Sequence, residues 1–206
     1  KVAVIAHDFA VKAGSWGRLT CEKQIRILER ADRDLLPVVY LVDSAGGRLT
    51  EQLGFFTDRR GASRIFQLQV ALSGRVPQIC CLHGPSAAGG AYMPAFTDWV
   101  GMVEGNASMY LASPRVAEKV TGELTTLEEM GGAVMHASVS GCGDEVFGSD
   151  WEAIAAARLL LSYLPDNWQE RPQDATPAQP ARQDWEGAIP ADESAGYDIR
   201  DVVDRL

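Results

Sequence analysis

Two small-residue segments carry the most specific chemistry in this 206-residue chain. One is His83-Gly84-Pro85-Ser86-Ala87-Ala88-Gly89-Gly90-Ala91-Tyr92-Met93-Pro94, directly behind the apolar run 78–82. From Ala87 to Gly90 the side chains have almost no volume, so another group of atoms can approach the main chain closely. If a helix begins there, its first N–H groups lack intrahelical acceptors. Such donors suit a phosphate or the oxyanion of a thioester enolate. The other segment, Asp43-Ser44-Ala45-Gly46-Gly47-Arg48, holds the equivalent place behind the run 38–42. Two glycine turns leaving neighbouring strands can converge on one cleft. They can equally serve tight packing of helix on strand, and the residues alone leave both readings open.

Neither segment has a nucleotide signature. The first lacks the lysine of G-x-x-x-x-G-K-[ST], and the second lacks G-x-G-x-x-G. No G-x-S-x-G elbow surrounds Ser44 or Ser86, so neither is read as a nucleophile; Ser44 reads as a turn former. His7-Asp8 is read as structural or rim rather than as an acid–base pair, because adjacent side chains at a strand exit diverge. His83 suits substrate orientation or loop hydrogen bonding, and His136 suits a loop anchor. Arg48, Arg59, Arg60 and Arg64 follow one strand and its helix, where they can attract a polyphosphate or pair with Glu51 and Asp58. Trp16 suits pocket cover or plain packing. Cys21, Cys80, Cys81 and Cys142 form no C-x-x-C pair, and three histidines are few for zinc, so no metal is expected.

The elements that must position these residues follow from apolar spacing. Strands are expected at 2–6, 38–42, 78–82, 99–103 and 109–112, with helices at 19–36, 60–72 and 114–120. A further helix is expected over 150–164, with Asp150 as cap and Trp151, Ile154, Leu159 and Leu160 facing inward. Thr126 to Glu129 fits a capping box, and Pro114 suits a first helical turn. Strand-then-helix repetition points to an α/β layer fold with ligand loops at strand ends. Residues 1–165 read as one domain. Residues 166–188, with Pro172, Pro177 and Pro180, read as linker, and 189–206 as the start of another unit with a short helix at 197–203.

Composition narrows the function classes. Apolar residues make up 46%, yet no run approaches the roughly 20 residues of a membrane span. A soluble protein with no membrane association is expected. The formal charge is -9, concentrated in residues 166–206 with 4 basic and 10 acidic side chains, which argues against nucleic acid. Cysteine usage suits reduced thiols and a cytoplasmic location. The chain opens at Lys1 in mid-pattern, as an internal piece of a longer protein would.

The segments Asp8-Phe9 through Gly14-Ser15-Trp16-Gly17, Asp43 to Arg48, Gly84 to Pro94, Val120-Thr121-Gly122-Glu123 and Glu129-Met130-Gly131-Gly132-Ala133 followed by His136 occur in matching order with one family. Together they resemble the amino-terminal half of the carboxyltransferase, or beta, subunit of biotin-dependent acyl-CoA carboxylases. Ile189-Pro190 and Tyr197-Asp198-Ile199-Arg200 resemble the opening of the carboxy-terminal half. The resemblance implies a crotonase-like (ClpP/crotonase) α/β fold of repeated ββα units. It implies transfer of a carboxyl group from carboxybiotin, on a separate biotin carrier associated with a biotin carboxylase subunit, to the alpha carbon of an acyl-CoA. By resemblance, the backbone amides of Ala88, Gly89 and Gly90 are the oxyanion donors. Ser44, Ala45, Gly46, Gly47, Arg48, Ala87 and Tyr92 line the coenzyme A site. Gly47 stands where relatives often carry Ala. Cys80-Cys81 and Gly105 to Tyr110 lie nearer the propionyl or longer-chain branches. Homo-oligomers, as dimers stacked into a hexamer, are implied. A biotin-independent acyl-CoA decarboxylase, another crotonase-type enzyme and a non-catalytic CoA-ester-binding or assembly subunit are the competing readings.

Overall fold

The computed structural model describes residues 1–56, 59–165, 167–171, 187, 189–192 and 194–203. Within the unit Lys1–Pro172, a parallel sheet is built from β1 (Ala3–Ala6), β2 (Val38–Ser44), β3 (Gln78–Ala87), β4 (Trp99–Val103) and β6 (Glu145–Phe147), in the order β1-β2-β3-β4-β6. A short β5 (Ser108–Tyr110) lies off this path and pairs with β3. Helices α1 (Arg18–Asp34), α2 (Gln52–Phe55), α3 (Ala62–Leu72), α4 (Tyr92–Ala95), α5 (Pro114–Thr121), α6 (Leu127–Gly131) and α7 (Ala133–Met135) lie in the connections between strands, and α8 (Asp150–Ser162) follows β6. Parallel strands need crossovers of this kind, because a tight hairpin cannot reverse the chain twice.

Local sequence explains most boundaries. In α1, buried Cys21, Gln24, Ile25, Leu28 and Ala31 fall on one stripe at helical spacing. The helix stops at Leu35, which adopts the left-handed conformation at φ 52°, two residues before Pro37. The helix thus runs from Arg18 to Asp34, starting one residue before and ending two residues short of the expected 19–36. The expected box at Thr126 is present: its hydroxyl accepts from the Glu129 N–H at 3.2 Å, and the Glu129 carboxylate accepts from the Thr126 N–H at 2.9 Å.

Helices cover both sheet faces. Tyr40 of β2 donates to the Gln78 side-chain oxygen at 3.0 Å, and the Gln78 amide donates to the Gln69 carbonyl of α3 at 2.9 Å. On the opposite face the Cys81 thiol approaches the Ala153 carbonyl of α8 at 3.4 Å. Tyr40, Leu28, Ile65, Leu82, Met93 and Met102 are fully buried between these layers. Burial of each large apolar side chain contributes roughly 2 kcal/mol.

Two expectations need correction. α8 is capped by Ser149, whose hydroxyl accepts from the Glu152 N–H at 3.4 Å, and Asp150 is the first helical residue. Its inward face is Ala153 and Ala157, while Trp151 is 80% and Leu159 55% exposed. Leu160, expected inward, and Leu161 pack partly buried against the core beside these alanines. Second, β3 continues through His83 to Ala87, well beyond the expected end at residue 82. The unit Gln173–Leu206 contains the helix α9 (Arg200–Val203), preceded by Asp198, whose carboxylate accepts from the Arg200 N–H at 2.9 Å. Residues 172–186, read as linker, and Asp58 lie outside the described residues.

Candidate active site

The two glycine segments meet. β2 and β3 pair in register from Val38↔Gln78 to Val42↔Leu82 and again at Ser44↔Ser86, so the turns that leave them start side by side. Gly46 adopts φ +85°, and a β-carbon there would stand 2.7 Å from the Ala87 carbonyl oxygen. Gly90 is buried, and a β-carbon on it would lie 3.6 Å from the Gly46 α-carbon and 3.4 Å from the Ser86 hydroxyl. Gly46 is therefore explained by its conformation and by packing of its turn on Ala87, whereas a β-carbon at Gly90 would make only ordinary contact. Gly89 is different: a β-carbon there would meet nothing within 4 Å. Neither conformation nor packing demands glycine at 89, so the absent side chain leaves open space over the loop.

Ala87 to Tyr92 is shaped to present its main chain to that space. Ala88 takes the left-handed conformation at φ 50°, which a β-carbon disfavours by about 1–2 kcal/mol. Residues Ala88–Ala91 then form a single 3₁₀ turn leading into α4. The first N–H groups of such a turn have no acceptor within it. Ser86, fully buried, closes the loop from below by donating to the Gly90 carbonyl at 2.9 Å. Ala88 and Gly89 are exposed. Tyr92 extends away onto an aromatic group, stacked on Phe96 with ring centroids 5.9 Å apart and edge-on to Phe66 at 5.5 Å.

The turn 44–48 is held by the Gly14-Ser15-Trp16-Gly17 loop. The Ser44 hydroxyl donates to the Gly14 carbonyl at 2.8 Å and accepts from the Gly46 N–H at 3.2 Å, so it is engaged in the turn itself. Ala45 donates to Ala13 at 2.9 Å, Trp16 to Gly46 at 2.8 Å and Arg48 to Trp16 at 2.8 Å, all through main-chain groups. Gly47 bridges Trp16. The Arg48 guanidinium donates to the Ser15 hydroxyl at 3.1 Å and to the Glu51 carboxylate at 3.1 Å. That pairing holds the Glu51 carboxyl below its ordinary range.

All three histidines are engaged away from the open loop. Trp16 donates its indole N–H to His7 Nε2 at 3.2 Å, and burial pushes the His7 imidazole down to about 4. Asp8 instead accepts from the Ala10 N–H at 3.0 Å, so the two adjacent side chains diverge. His136 reaches the Met109 carbonyl of β5 at 2.9 Å and the Ser140 hydroxyl at 2.7 Å. Gly131 packs on the same Met109 carbonyl, where a β-carbon would approach to 2.5 Å. His83 Nδ1 lies 2.7 Å from Asp150 Oδ1, a pairing that residue types 67 positions apart do not reveal. Trp16 is 2% exposed and packs between His7 and Phe66. The segment 120–123 stands apart, exposed at the end of α5.

A cleft of about 850 Å³ lies elsewhere, between α1 and α3, and is lined by Arg26, Arg59, Arg60 and Arg64 with Glu22 and Glu29. Arg64 is already paired with Glu29 at 3.2 Å, and Arg48 is not among its lining residues. Another cleft, about 570 Å³, runs past His7, Gly14, Ser15 and Arg48 at the rim of the turn assembly. Among the described residues no group of three or more His, Cys, Asp or Glu could hold a metal ion. No described helix is long and apolar enough to cross a membrane.

Residues 1–206 match the family model described as the carboxyl transferase domain. The chain belongs to this family. It is 54% identical over 207 residues to the uncharacterized carboxylase YngE of Bacillus subtilis, covering all of this chain and 40% of that protein. It is 38% identical to the mitochondrial methylcrotonoyl-CoA carboxylase beta chain of Dictyostelium discoideum, covering 98% of this chain and 35% of the relative. The transcarboxylase 12S structure with methylmalonyl-coenzyme A and methylmalonic acid bound superimposes with a TM-score of 0.79 at 36% identity, over 97% of this chain and 39% of that one. The fold is thus the crotonase-like fold of carboxyltransferases. The chain spans about two fifths of the length of the relatives it matches.

Proposed function

We propose that this chain is the acyl-CoA half of a carboxyltransferase, moving a carboxyl group between carboxybiotin on a separate carrier and the alpha carbon of an acyl-CoA. The observation that carries this reading is the open space over Gly89 at the first turn of 88–91, beside a second glycine turn. The amides of Ala88, Gly89 and Gly90 receive the thioester oxygen as negative charge develops on it. Each well-placed donor is worth roughly 3 kcal/mol in the transition state. Ala87, Tyr92 and the 44–48 turn line the coenzyme A path, with Arg48 oriented by Ser15 and Glu51. Carboxybiotin supplies the carboxyl group and, once released from it, an acceptor for the alpha proton. This division of labour agrees with three histidines that are all hydrogen-bonded away from the loop.

Propionyl-CoA or a longer acyl-CoA is the preferred substrate class. It accords with the 38% identical propionyl-CoA carboxylase carboxyltransferase subunit of Haloferax mediterranei. Residues 1–165 form the acyl-CoA domain, 166–188 a linker, and 189–206 the start of a carboxy-terminal carboxyltransferase domain. Assembly into dimers or a hexamer accords with the hexamer of transcarboxylase 12S, and the free cysteines accord with a reducing cytoplasm. Titration with propionyl-CoA tests the reading: the wild-type chain binds, and Gly89→Leu, which fills the open space, removes binding while leaving stability unchanged. Equal binding by Gly89→Leu would refute the loop as the thioester site. A second reading is decarboxylation of an acyl-CoA, with which 35% identity to the methylmalonyl-CoA decarboxylase alpha subunit of Veillonella parvula accords. Loss of carbon dioxide from methylmalonyl-CoA without biotin would select its biotin-independent form.

A further inference from the structure

The parallel pairing of β3 breaks at one place. Val42↔Leu82 is followed by Ser44↔Ser86, so Asp43 alone stands opposite His83, Gly84 and Pro85. At the same point β3 changes partner, from β4 (Leu82↔Met102) to β5 (Pro85↔Ser108). Bulges of this kind re-aim the chain beyond them. Here the re-aimed segment is Ser86 to Gly90, which carries the open loop.

His83 is fastened at that break on two sides. Its carbonyl accepts from the Asn106 side-chain amide at 2.6 Å, in the connection between β4 and β5. Its imidazole Nδ1 meets Asp150 Oδ1 at 2.7 Å, and since a carboxylate only accepts, Nδ1 carries the proton. The Asp43 carboxylate occupies the space a side chain at 84 would take, so Gly84 is required for the bulge to close on it. Asp43 Oδ1 is buried without a hydrogen bond, and burial raises its carboxyl above the ordinary range, with His83 acting to lower it and Asp150 to raise it. One imidazole thus stands among the end of β2, the bulge of β3 and the first turn of α8.

We propose that His83 is a positioning residue: clamped by Asp150 and Asn106 against Asp43, it fixes the bulge that aims both glycine turns at a common point. It touches no reacting atom and acts through the loop it sets. The functional weight of this inference rests on the acyl-CoA reading above, whereas the geometric part does not. Position 83 is therefore constrained to a side chain with an N–H donor at the place of Nδ1, a requirement that Asn meets and Leu does not.

The test is hydrogen–deuterium exchange of a peptide covering residues 84–90, with a peptide from 18–34 as the measure of global opening, together with propionyl-CoA affinity. His83→Leu and Asp150→Ala are expected to speed exchange of 84–90 about tenfold with 18–34 unchanged, and to weaken thioester binding by about tenfold. His83→Asn is expected to restore both to within about threefold. Unchanged exchange at 84–90 in His83→Leu, or equal acceleration in 18–34, would overturn the proposal. Should His83→Leu not fold, Asp150→Ala, altered at a side chain that is 62% exposed, decides the same question. If the wild-type chain binds no thioester, the acyl-CoA reading fails, and the exchange comparison still decides whether His83 positions the loop.

Discussion

Gly46 and Gly89 look alike in sequence and differ in what they do. At Gly46, φ +85° and the Ala87 carbonyl at 2.7 Å both exclude a side chain. Gly46→Ala is expected to lower stability by about 2–3 kcal/mol, read by urea denaturation. At Gly89 a methyl group meets open space, so Gly89→Ala should leave the same measurement within about 0.5 kcal/mol. His7 supplies a pH signature. Its pKa falls from 6.5 in the unfolded chain to about 4 in the folded one, because burial disfavours the imidazolium. The neutral form accepts the Trp16 indole N–H, and protonating Nε2 would break that bond. The unfolded state therefore takes up the proton first. The contribution is complete above pH 6.5 and is lost as pH falls from 6.5 through 4, on the order of 3 kcal/mol in all. Denaturation midpoints at pH 7 and pH 4.5 measure it, and a flat profile across that window would contradict the buried, neutral His7.

At the scale of elements, the capping box and the partner change of β3 work at different ranges. Thr126 and Glu129 satisfy each other's main-chain donors within four residues, so the sequence states that helix start outright. Thr126→Ala is expected to lower stability by about 1 kcal/mol without altering thioester binding. α8 shows why the apolar pattern misled. Its Trp151 and Leu159 face outward while Ala153 and Ala157 are buried and Leu160 and Leu161 pack against the core, so the buried stripe is turned from the one the large apolar residues suggested. The lengthening of β3 beyond residue 82 was equally illegible. Gly84 and Pro85 read as breakers, yet β5 arrives from elsewhere in the chain to pair with Pro85 to Ala87. A partner strand supplied by tertiary structure overrides local punctuation.

For the whole molecule, large apolar side chains remain uncovered in this chain. Leu49, Leu53 and Phe56 are 82%, 102% and 65% exposed around α2, and Val120 and Leu124 are 78% and 85% exposed at the end of α5. α5 buries no residue at all. The chain spans about two fifths of the length of its relatives. We expect formation of carboxylated propionyl-CoA only when carboxybiotin and the complementary carboxy-terminal half are both supplied, followed by chromatography of the thioesters. Turnover by this chain with carboxybiotin alone would contradict that division.

The sequence by itself determined the α/β class, the main strands and helices, the two small-residue turns and the family, because each is written in local spacing or in residue types that tolerate little change. Only the tertiary structure decided which glycine is a packing device and which leaves space, since both lack a side chain and differ only in what faces them. It also decided that His83 meets Asp150 across 67 positions and that Arg48 turns to Ser15 and Glu51. Pairings between distant residues depend on how strands stack and where a bulge falls, and no local period encodes them.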